Sequence, residues 1–337
     1  MRVCVATTDH HPEDARIMHR QIRALLDAGH DVAYVAPFTY YNVTPPPPIT
    51  AIDLPRGAGH GRARAALRRG VRDADLLLVH DARLMRAVPY RCPPVVWDVR
   101  EPRDARRAVR AARRHHVISP EVVPEATTVA EMPPPSGDAR VVHLGRLTAE
   151  RGAGELVGLA ERLVPYGLRL DLIGPADHRT RVLLRDAQRA GLLDWYGHVP
   201  HRHALRMTEG ALAGLSLAAD SVTGVPTKVL DYMGRGIPVV ATAQAAQPVR
   251  SARCGLVVRR DPAAVLEALL DLREDPALRA ELGANGHRHA ALHHHWPDHA
   301  RTFVARMESY AELAHPVVPQ DVRRPTAAPS NARPASR

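Results

Sequence analysis

The 337-residue sequence contains few cysteines, few aromatic residues and no long apolar run. Cys4, Cys92 and Cys254 lie far apart and form no CxxC pair, so neither a disulfide framework nor a zinc site is indicated. No segment approaches the ~18 apolar residues of a membrane-spanning helix, and the N-terminus lacks the apolar segment of a signal peptide. We therefore expect a cytoplasmic protein that contacts, at most, the inner face of a membrane.

Lysine is almost absent, because Lys228 is the only lysine among 46 basic residues. The formal net charge of +10 therefore reflects arginine, and it is compatible with a solvated surface, a patch for anionic lipid or substrate phosphate, or a nucleic-acid interface. The basic stretches lack interleaved aromatic residues for base stacking, so we expect no nucleic-acid partner. Aromatic residues make up only 4% of the chain, which predicts aliphatic cores of the kind found in buried parallel sheets.

Short apolar segments alternate with amphipathic helices along most of the chain. The first strand, helix and strand, over residues 3–35, form a βαβ unit, which predicts a parallel sheet. The alternation resumes after a proline-rich linker at residues 133–135. The predicted fold is α/β, with two Rossmann-like doubly wound parallel-sheet domains that face a central cleft. The predicted boundaries are 1–136 and 137–296 for the domains, 297–315 for a C-terminal helix that packs back toward the first domain, and 316–337 for a disordered tail.

The predicted strands follow the apolar runs. In the first half they are residues 3–6, 32–35, 76–79, 95–97 and 117–119. In the second half they are residues 141–144, 170–173, 193–196, 214–218, 238–241 and 256–258.

Two loops after predicted strands carry charges suited to phosphate. In the first loop, Gly145 follows a strand, and Arg146 and Arg151 precede a helix N-terminus. Fixed cations and a helix dipole together favour a diphosphate. The alternative is an ordinary surface loop in an arginine-rich protein.

The second loop leads into a helix whose predicted start is Pro226 and Thr227. Lys228 and the helix N-terminus would face phosphate, where a compact ammonium differs from the guanidinium used elsewhere in the chain. Asp231, about one helical turn further, could accept hydrogen bonds from both hydroxyls of a ribose. The alternative is a capped helix without a ligand.

Together these segments resemble glycosyltransferase family 4, a large group of retaining GT-B enzymes, over nearly all of residues 1–314. Segment 145–152 is similar to the family's phosphate-binding G-R…K-G motif, with arginine in place of lysine. Segment 226–233, PTKVLDYM, is similar to the family variant PTKLFEYM, whose acidic residue binds the donor ribose. The resemblance implies a GT-B fold and a hexosyltransferase that transfers a sugar from a nucleotide-sugar donor, with retention and without a metal or cofactor. The acceptor is not identified, and both an envelope or lipid-linked glycan and a natural product fit.

The resemblance also implies a role for particular residues. Arg146, Arg151 and Lys228 would hold the diphosphate and Asp231 the ribose, and these four form the predicted catalytic set. The other predicted donor contacts are Gly145, Gly197, His198, Val199, Gly224, Val225, Pro226 and Thr227. The predicted acceptor side consists of Asp9, His10, His11, Asp14, Arg16, His80 and Arg100.

Three positions depart from the family pattern. Asp231 is one methylene shorter than the usual glutamate, Thr223 stands where a second glutamate is common, and Arg100 stands where a histidine is common. These departures leave open a catalytically weak accessory protein that binds a nucleotide sugar or a partner transferase. A sugar-nucleotide epimerase or phosphorylase also stays open, whereas an NAD enzyme is disfavoured because no GxGxxG follows the first strand. The basic segment 103–114, which we predict to be a helix, suggests peripheral contact with anionic lipid.

Overall fold

The computed structural model describes residues 1–98, 117–121, 124–217, 226–242 and 246–312, without the side chains of residues 117–121 and 246. The described chain forms two parallel sheets of six strands each. The strands of the first sheet are β1 (Arg2–Ala6), β2 (Asp31–Ala36), β3 (Thr50–Asp53), β4 (Leu76–Val79), β5 (Val95–Asp98) and β6 (Val117–Glu121). The strands of the second sheet are β7 (Arg140–Leu144), β8 (Arg169–Ile173), β9 (Leu193–Trp195), β10 (Ala213–Ser216), β11 (Val239–Ala241) and β12 (Gly255–Val257).

Both sheets have the same doubly wound topology. The strand orders are β3-β2-β1-β4-β5-β6 and β12-β11-β10-β7-β8-β9, and all pairs are parallel. The order reverses between β1 and β4 in the first sheet and between β7 and β10 in the second. Ligands of such sheets bind beyond the carboxyl ends of the strands at this switch point, which directs attention to the loops after these four strands.

Helices cover both sheets. In the first domain a π-helix (Ile17–Ile22) continues as α1 (Arg23–Asp27), and α2 (Phe38–Tyr41) and α3 (His60–Gly70) follow. In the second domain the helices are α4 (Ala153–Leu163), α5 (His178–Arg189), α6 (His201–Thr208), α7 (Thr227–Met233), α8 (Ala246–Ala252), α9 (Pro262–Glu274) and α10 (Pro276–His293), and the last helix is α11 (Trp296–Glu312). Short 3₁₀ turns occur at Leu84–Arg86, Ala149–Arg151 and Val164–Tyr166.

Local sequence signals explain where several of these helices begin. Asp177 accepts a hydrogen bond from the Thr180 amide at 2.8 Å and so caps α5. Asp261 and Asp275 cap α9 and α10 in the same way, and each is followed by a proline at the first helical position. Proline is favoured there because its missing N–H would have no intrahelical partner.

The cores are mainly aliphatic, as the low aromatic content predicts, and a few aromatic side chains are buried within them. Buried residues of β1, β2 and β4 pack against Ile17 and Leu25 on one face of the first sheet. The last helix, α11, packs Trp296, Phe303 and Met307 into this core. The last described residues of the chain therefore lie against the first domain. None of the helices in the described parts of the chain has the length and apolar character that a membrane span requires.

The prediction of two doubly wound parallel sheets is confirmed, and each predicted strand matches an observed one to within a residue or two over the described positions. The sequence prediction missed β3, an edge strand in which Thr50 and Ala51 are exposed and only Ile52 is buried. It also missed the short helices α2, α6 and α8. The predicted helix 103–114 and the predicted tail 316–337 lie outside the described residues.

Candidate functional site

Gly145 leaves β7 at the switch point of the second sheet. Its φ of 125° lies in the range that favours glycine, and its amide donates to the Ile173 carbonyl at 2.9 Å. A Cβ on Gly174, at the end of β8, would lie 2.0 Å from the Gly145 carbonyl oxygen. The two strand ends therefore approach each other with backbone only. A Cβ on Gly145 itself would lie 3.6 Å from Lys228 Nζ, so the loop passes directly beside this ammonium.

Lys228 is the centre of a cationic group at this strand end. Its Nζ lies 3.2 Å from His143 Nε2, and the side chain is half-buried. Burial, together with the nearby charge of Arg151, lowers the pKa of Lys228 to about 7. Burial and the charges of Lys228 and Arg151 hold the pKa of His143 well below its ordinary value, so this imidazole is neutral and can accept from Lys228.

The position of α7, which carries Lys228, is fixed by one aromatic side chain. The Tyr232 hydroxyl accepts from the Leu144 amide at 2.8 Å and lies 3.3 Å from the Leu215 carbonyl oxygen. Its ring covers Gly214 so closely that a Cβ there would lie 2.4 Å from ring carbons. Tyr232 therefore packs α7 directly against β7 and β10. This contact places the first turn of α7 at the switch point.

The charges of the two exposed arginines of the first predicted loop affect different residues. Arg151 ends the 3₁₀ turn before Gly152, which has a φ of 79°, and it acts on Lys228 and His143. Arg146 instead contributes to the lowered pKa of His11, so its charge lies near this residue of the first domain.

Asp231 lies deeper, at the junction of the two domains, and is 5% exposed. Its Oδ1 accepts from Thr127 Oγ1 at 2.6 Å and lies 3.6 Å from Arg20 Nη2 of the first domain. His201 Nε2, from α6, lies 3.9 Å from the same oxygen. The carboxylate thus has one neighbour from each domain and one from the segment that joins them.

A second buried carboxylate, Asp98, organises the first domain at the end of β5. Arg16 binds it through two nitrogens at 2.8 and 2.5 Å, Gln21 donates to it at 2.9 Å, and His80 Nδ1 lies 3.2 Å away. Burial opposes ionisation, but the charge of Arg16 and the hydrogen bonds from His80 and Arg16 outweigh it and hold the pKa of Asp98 well below its usual range. Arg16 and His80, two residues of the predicted acceptor side, are therefore buried around this carboxylate.

Glu125, in the segment that joins the domains, links this cluster to the donor helix. One carboxylate oxygen accepts from Arg16 Nη1 at 2.5 Å and the other from Thr227 Oγ1 at 3.0 Å. Its carbonyl oxygen lies 3.0 Å from His294 Nδ1, where the chain returns to the first domain. The first turn of α7 is thereby tied to the first domain.

The loop after β1 is held by Asp81, which follows β4. Thr7 Oγ1 donates to it at 2.9 Å, the Thr8 amide at 2.5 Å, and His10 Nδ1 lies 3.0 Å away. Although burial opposes this, the hydrogen bond and charge of His10 and the bonds from Thr8 and Thr7 lower the pKa of Asp81 to about 2. Asp9, further along the loop, has Arg83 at 3.8 Å.

The remaining predicted residues of the cleft lie in two further loops. His198 follows Gly197, whose φ is 68°, and its Nε2 lies 3.1 Å from Glu13 Oε2 of the first domain. Burial and the nearby His198 lower the pKa of His11 to about 4. Asp14 accepts from two amides at the start of the π-helix, at 3.0 and 3.1 Å.

The structure therefore brings Gly145, Arg151 and Lys228 together and places Thr227 beside them. Asp231, three residues after Lys228 on the same helix, lies at the domain junction. The predicted residues Gly224, Val225 and Arg100 lie outside the described residues, as does Thr223.

Four contributors to the site were not predicted from the sequence: Arg20, Glu125, Thr127 and His143. Of these only His143 carried a signal, as a polar residue inside an otherwise apolar strand. Glu125 is hydrogen-bonded to Thr227, 102 positions away in the sequence, and Thr127 to Asp231, 104 positions away. No local sequence pattern indicates such pairs.

Comparison with known sequences concentrates on the second domain. Residues 138–275 match the family model described as glycosyl transferases group 1. WcaL of Salmonella typhimurium, named for glycosyl transfer in colanic acid biosynthesis, is 25% identical over 146 residues, which cover 40% of this chain and 36% of WcaL. WcaL of Escherichia coli K12 is 26% identical over 142 residues, or 39% of this chain and 35% of that protein. The chain thus spans about a third of the length of the curated relatives it matches.

Comparison with solved structures covers both domains. Sucrose-phosphate synthase from Thermosynechococcus elongatus superposes with a TM-score of 0.66 at 16% identity, over 91% of this chain and 98% of that one. WaaG, a glycosyltransferase involved in lipopolysaccharide biosynthesis, gives 0.62 at 13% identity over 91% and 99%. Anabaena HepE in complex with UDP-glucose gives 0.66 at 13% identity over 92% and 100%. The predicted GT-B fold is confirmed, whereas membership of family 4 stays a prediction.

Proposed function

We propose that the protein is a glycosyltransferase that moves a sugar from a nucleotide-sugar donor to an acceptor. The observation that carries the proposal is the convergence of Gly145, Arg151 and Lys228 at the switch point of the second sheet. This sheet lies in the part of the chain that matches group 1 glycosyl transferases. A site of glycine backbone and fixed cations suits the diphosphate of a nucleotide sugar.

The cations would act mainly on the leaving group. As the glycosidic bond to the diphosphate breaks, negative charge builds on the phosphate oxygens, and fixed positive groups stabilise that charge as it forms. Lys228 would contribute most strongly once the diphosphate is present. An anion beside Lys228 favours its charged form and so raises a pKa that burial has lowered to about 7. Arg146, in the loop after β7, would complete the cationic set.

We propose that Asp231 orients the donor ribose. Its described contacts with Thr127, Arg20 and His201 all involve Oδ1, which leaves Oδ2 to accept from ribose hydroxyls. Among the described atoms, the buried Arg20 Nε and Nη2 and His201 Nε2 have no hydrogen-bond partner. Donors and an acceptor therefore lie together at this point, as recognition of vicinal hydroxyls requires.

The finer features of the reaction belong to the same proposal. The predicted retention of configuration would follow if the acceptor attacks on the face from which the phosphate departs. The leaving phosphate then takes the acceptor proton, so that neither a metal nor a carboxylate nucleophile is needed. The loop after β1, in which Asp9 and His10 are half-buried, would meet an acceptor of the envelope-glycan or natural-product class. Cytoplasmic location and peripheral contact with anionic membrane stay predictions.

A panel of nucleotide sugars tests the proposal, with UDP-glucose first because HepE was crystallised with it. We expect one donor to raise the melting temperature of the full-length protein and to be slowly hydrolysed. Arg151→Met and Lys228→Met should each weaken binding by at least about tenfold, since each removes a charge-assisted contact of about 1.5–3 kcal/mol.

Arg162→Met is the matched control, because Arg162 is an exposed arginine of the same domain on α4. Its binding should equal that of the unaltered protein. Failure of every nucleotide sugar to bind, or equal losses in all three variants, would contradict the proposal. Tight binding without hydrolysis, or without transfer to any acceptor tried, would instead favour the accessory protein.

A further inference from the structure

Three side chains from the two domains converge between the loop after β1 and the loop after β9. They are His11 and Glu13 of the first domain and His198 of the second. One imidazole nitrogen of each histidine and one carboxylate oxygen all lie within 4.8 Å of one another. His198 Nε2 lies 3.1 Å from Glu13 Oε2, and the two imidazole centroids are 3.9 Å apart.

We propose that this group is a binding site for Zn²⁺, or for another transition-metal ion with the same preference, that joins the two domains. Two imidazoles and one carboxylate form a donor set that zinc commonly accepts, with a fourth position left for water. Zinc lies about 2.0–2.2 Å from such ligands, so small side-chain rotations suffice to draw three atoms within 4.8 Å onto one ion.

A neighbouring ring restricts one of the three ligands. The ring of Tyr41 lies 4.4 Å from that of His11, so packing limits how far this imidazole can turn. A ligand whose side-chain rotation is limited by packing is partly preorganised for the metal.

Uptake of the metal must replace hydrogen bonds that the ligands make without it. The Glu13 amide donates to His11 Nδ1 at 3.1 Å, and a neutral imidazole that coordinates through one nitrogen carries its proton on the other. The amide therefore loses this acceptor whichever nitrogen binds the metal. If His198 coordinates through Nε2, its 3.1 Å contact with Glu13 Oε2 is replaced as well. Three metal–ligand bonds take the place of these contacts, which predicts a local change around residues 11–13 on metal binding.

Because the ligands come from both domains, bound metal would hold the domains in the arrangement seen here. The ligands are distinct from Arg151, Lys228 and Asp231, so the metal would act as a clasp and not on the leaving diphosphate. The inference therefore does not depend on the proposed glycosyl transfer.

The test uses the full-length chain without an affinity tag, stripped of metal and titrated with Zn²⁺ alone against a chromophoric chelator. We expect one equivalent of tightly bound zinc. Glu13→Gln and His198→Gln should each weaken it by at least about tenfold, as is typical even for residues that only support a metal ligand. In the unaltered protein, zinc should slow amide hydrogen exchange in both segments 9–16 and 197–200.

The matched control is His289→Gln/His293→Gln, which removes two neighbouring imidazoles on α10, 4.8 Å apart, and should leave zinc binding unchanged. Circular dichroism verifies that each variant is folded. Absence of stoichiometric zinc, or binding that survives both Glu13→Gln and His198→Gln, overturns the proposal. So does binding that disappears in the α10 control. If zinc slows amide hydrogen exchange in only one of the two segments, the proposal that the metal joins the two domains is wrong.

Discussion

Replacing Lys228 by methionine is expected to stabilise the folded protein, and to do so more at pH 6 than at pH 9. The ammonium is half-buried beside His143 and Gly145 and lies near the charge of Arg151. Methionine fills a similar volume without a charge. The substitution therefore removes the cost of placing a cation in this environment while it keeps most of the packing.

The size and sign of the effect follow from the pKa. Burial and Arg151 lower the pKa of Lys228 from 10.5 to about 7. A group whose pKa is lower in the folded state costs stability below that pKa, and the cost fades as the pH rises toward the unfolded value. At about 1.4 kcal/mol per pH unit, the full cost at pH 6 is about 5 kcal/mol as an upper bound. At pH 9 only the unfolded lysine is still charged, and the cost falls to about 2 kcal/mol.

Urea unfolding of the unaltered protein and of Lys228→Met, at pH 6 and at pH 9, measures this difference. We expect a gain in stability that is about 3 kcal/mol larger at pH 6, since other titrating groups cancel between the two proteins. Arg162→Met serves as the control, because loss of an exposed arginine should change stability by no more than about 0.5 kcal/mol at either pH.

A direct titration is also available because the chain has a single lysine. Protein grown with lysine labelled at Cε gives one lysine resonance, and its chemical shift can be followed against pH. The midpoint of this titration should lie near pH 7 and should rise when UDP is bound. A midpoint near 10, or a gain in stability that does not depend on pH, would refute the reasoning that burial lowers this pKa.

Two further substitutions test the packing around the site. Asp98→Asn should destabilise the first domain by about 3–5 kcal/mol in urea unfolding, because it removes the more buried of the two carboxylates that pair with Arg16, and a loss below about 1 kcal/mol would contradict this. Gly214→Ala should cost about 1–3 kcal/mol, because its Cβ would lie 2.4 Å from the Tyr232 ring. Gly154→Ala, on α4 with no atom within 4 Å of the added Cβ, is the control and should stabilise the protein by up to about 1 kcal/mol.

The strands could be predicted because most are covered on both faces. Leu76–Val79 is buried throughout, so its sequence is a continuous apolar run. The edge strand β3 lacks this signal, since Thr50 and Ala51 are exposed and its pairing is decided by β2 alone. Apolar pattern therefore identifies the interior of a sheet better than its edge.

The site could be predicted only as local segments. Gly145, Arg151 and Lys228 stand in motifs whose residue types already suit phosphate, and parallel topology brings the two strand ends together. The direction of a polar side chain at a strand end has no such signal. Arg16 and His80, predicted on the acceptor side, are buried around Asp98 at the end of β5.

The interdomain contacts named here are polar, and this bears on how the cleft works. Arg20 faces Asp231, and Glu125 joins Arg16 to Thr227. For buried ion pairs the cost of removing water largely offsets the attraction, so such contacts fix an orientation while they add little net free energy. An interface of this kind can separate to admit a donor and re-form in the same register. Because Asp231 and Thr227 also stand in the proposed donor site, closure of the domains and occupation of that site would depend on the same side chains.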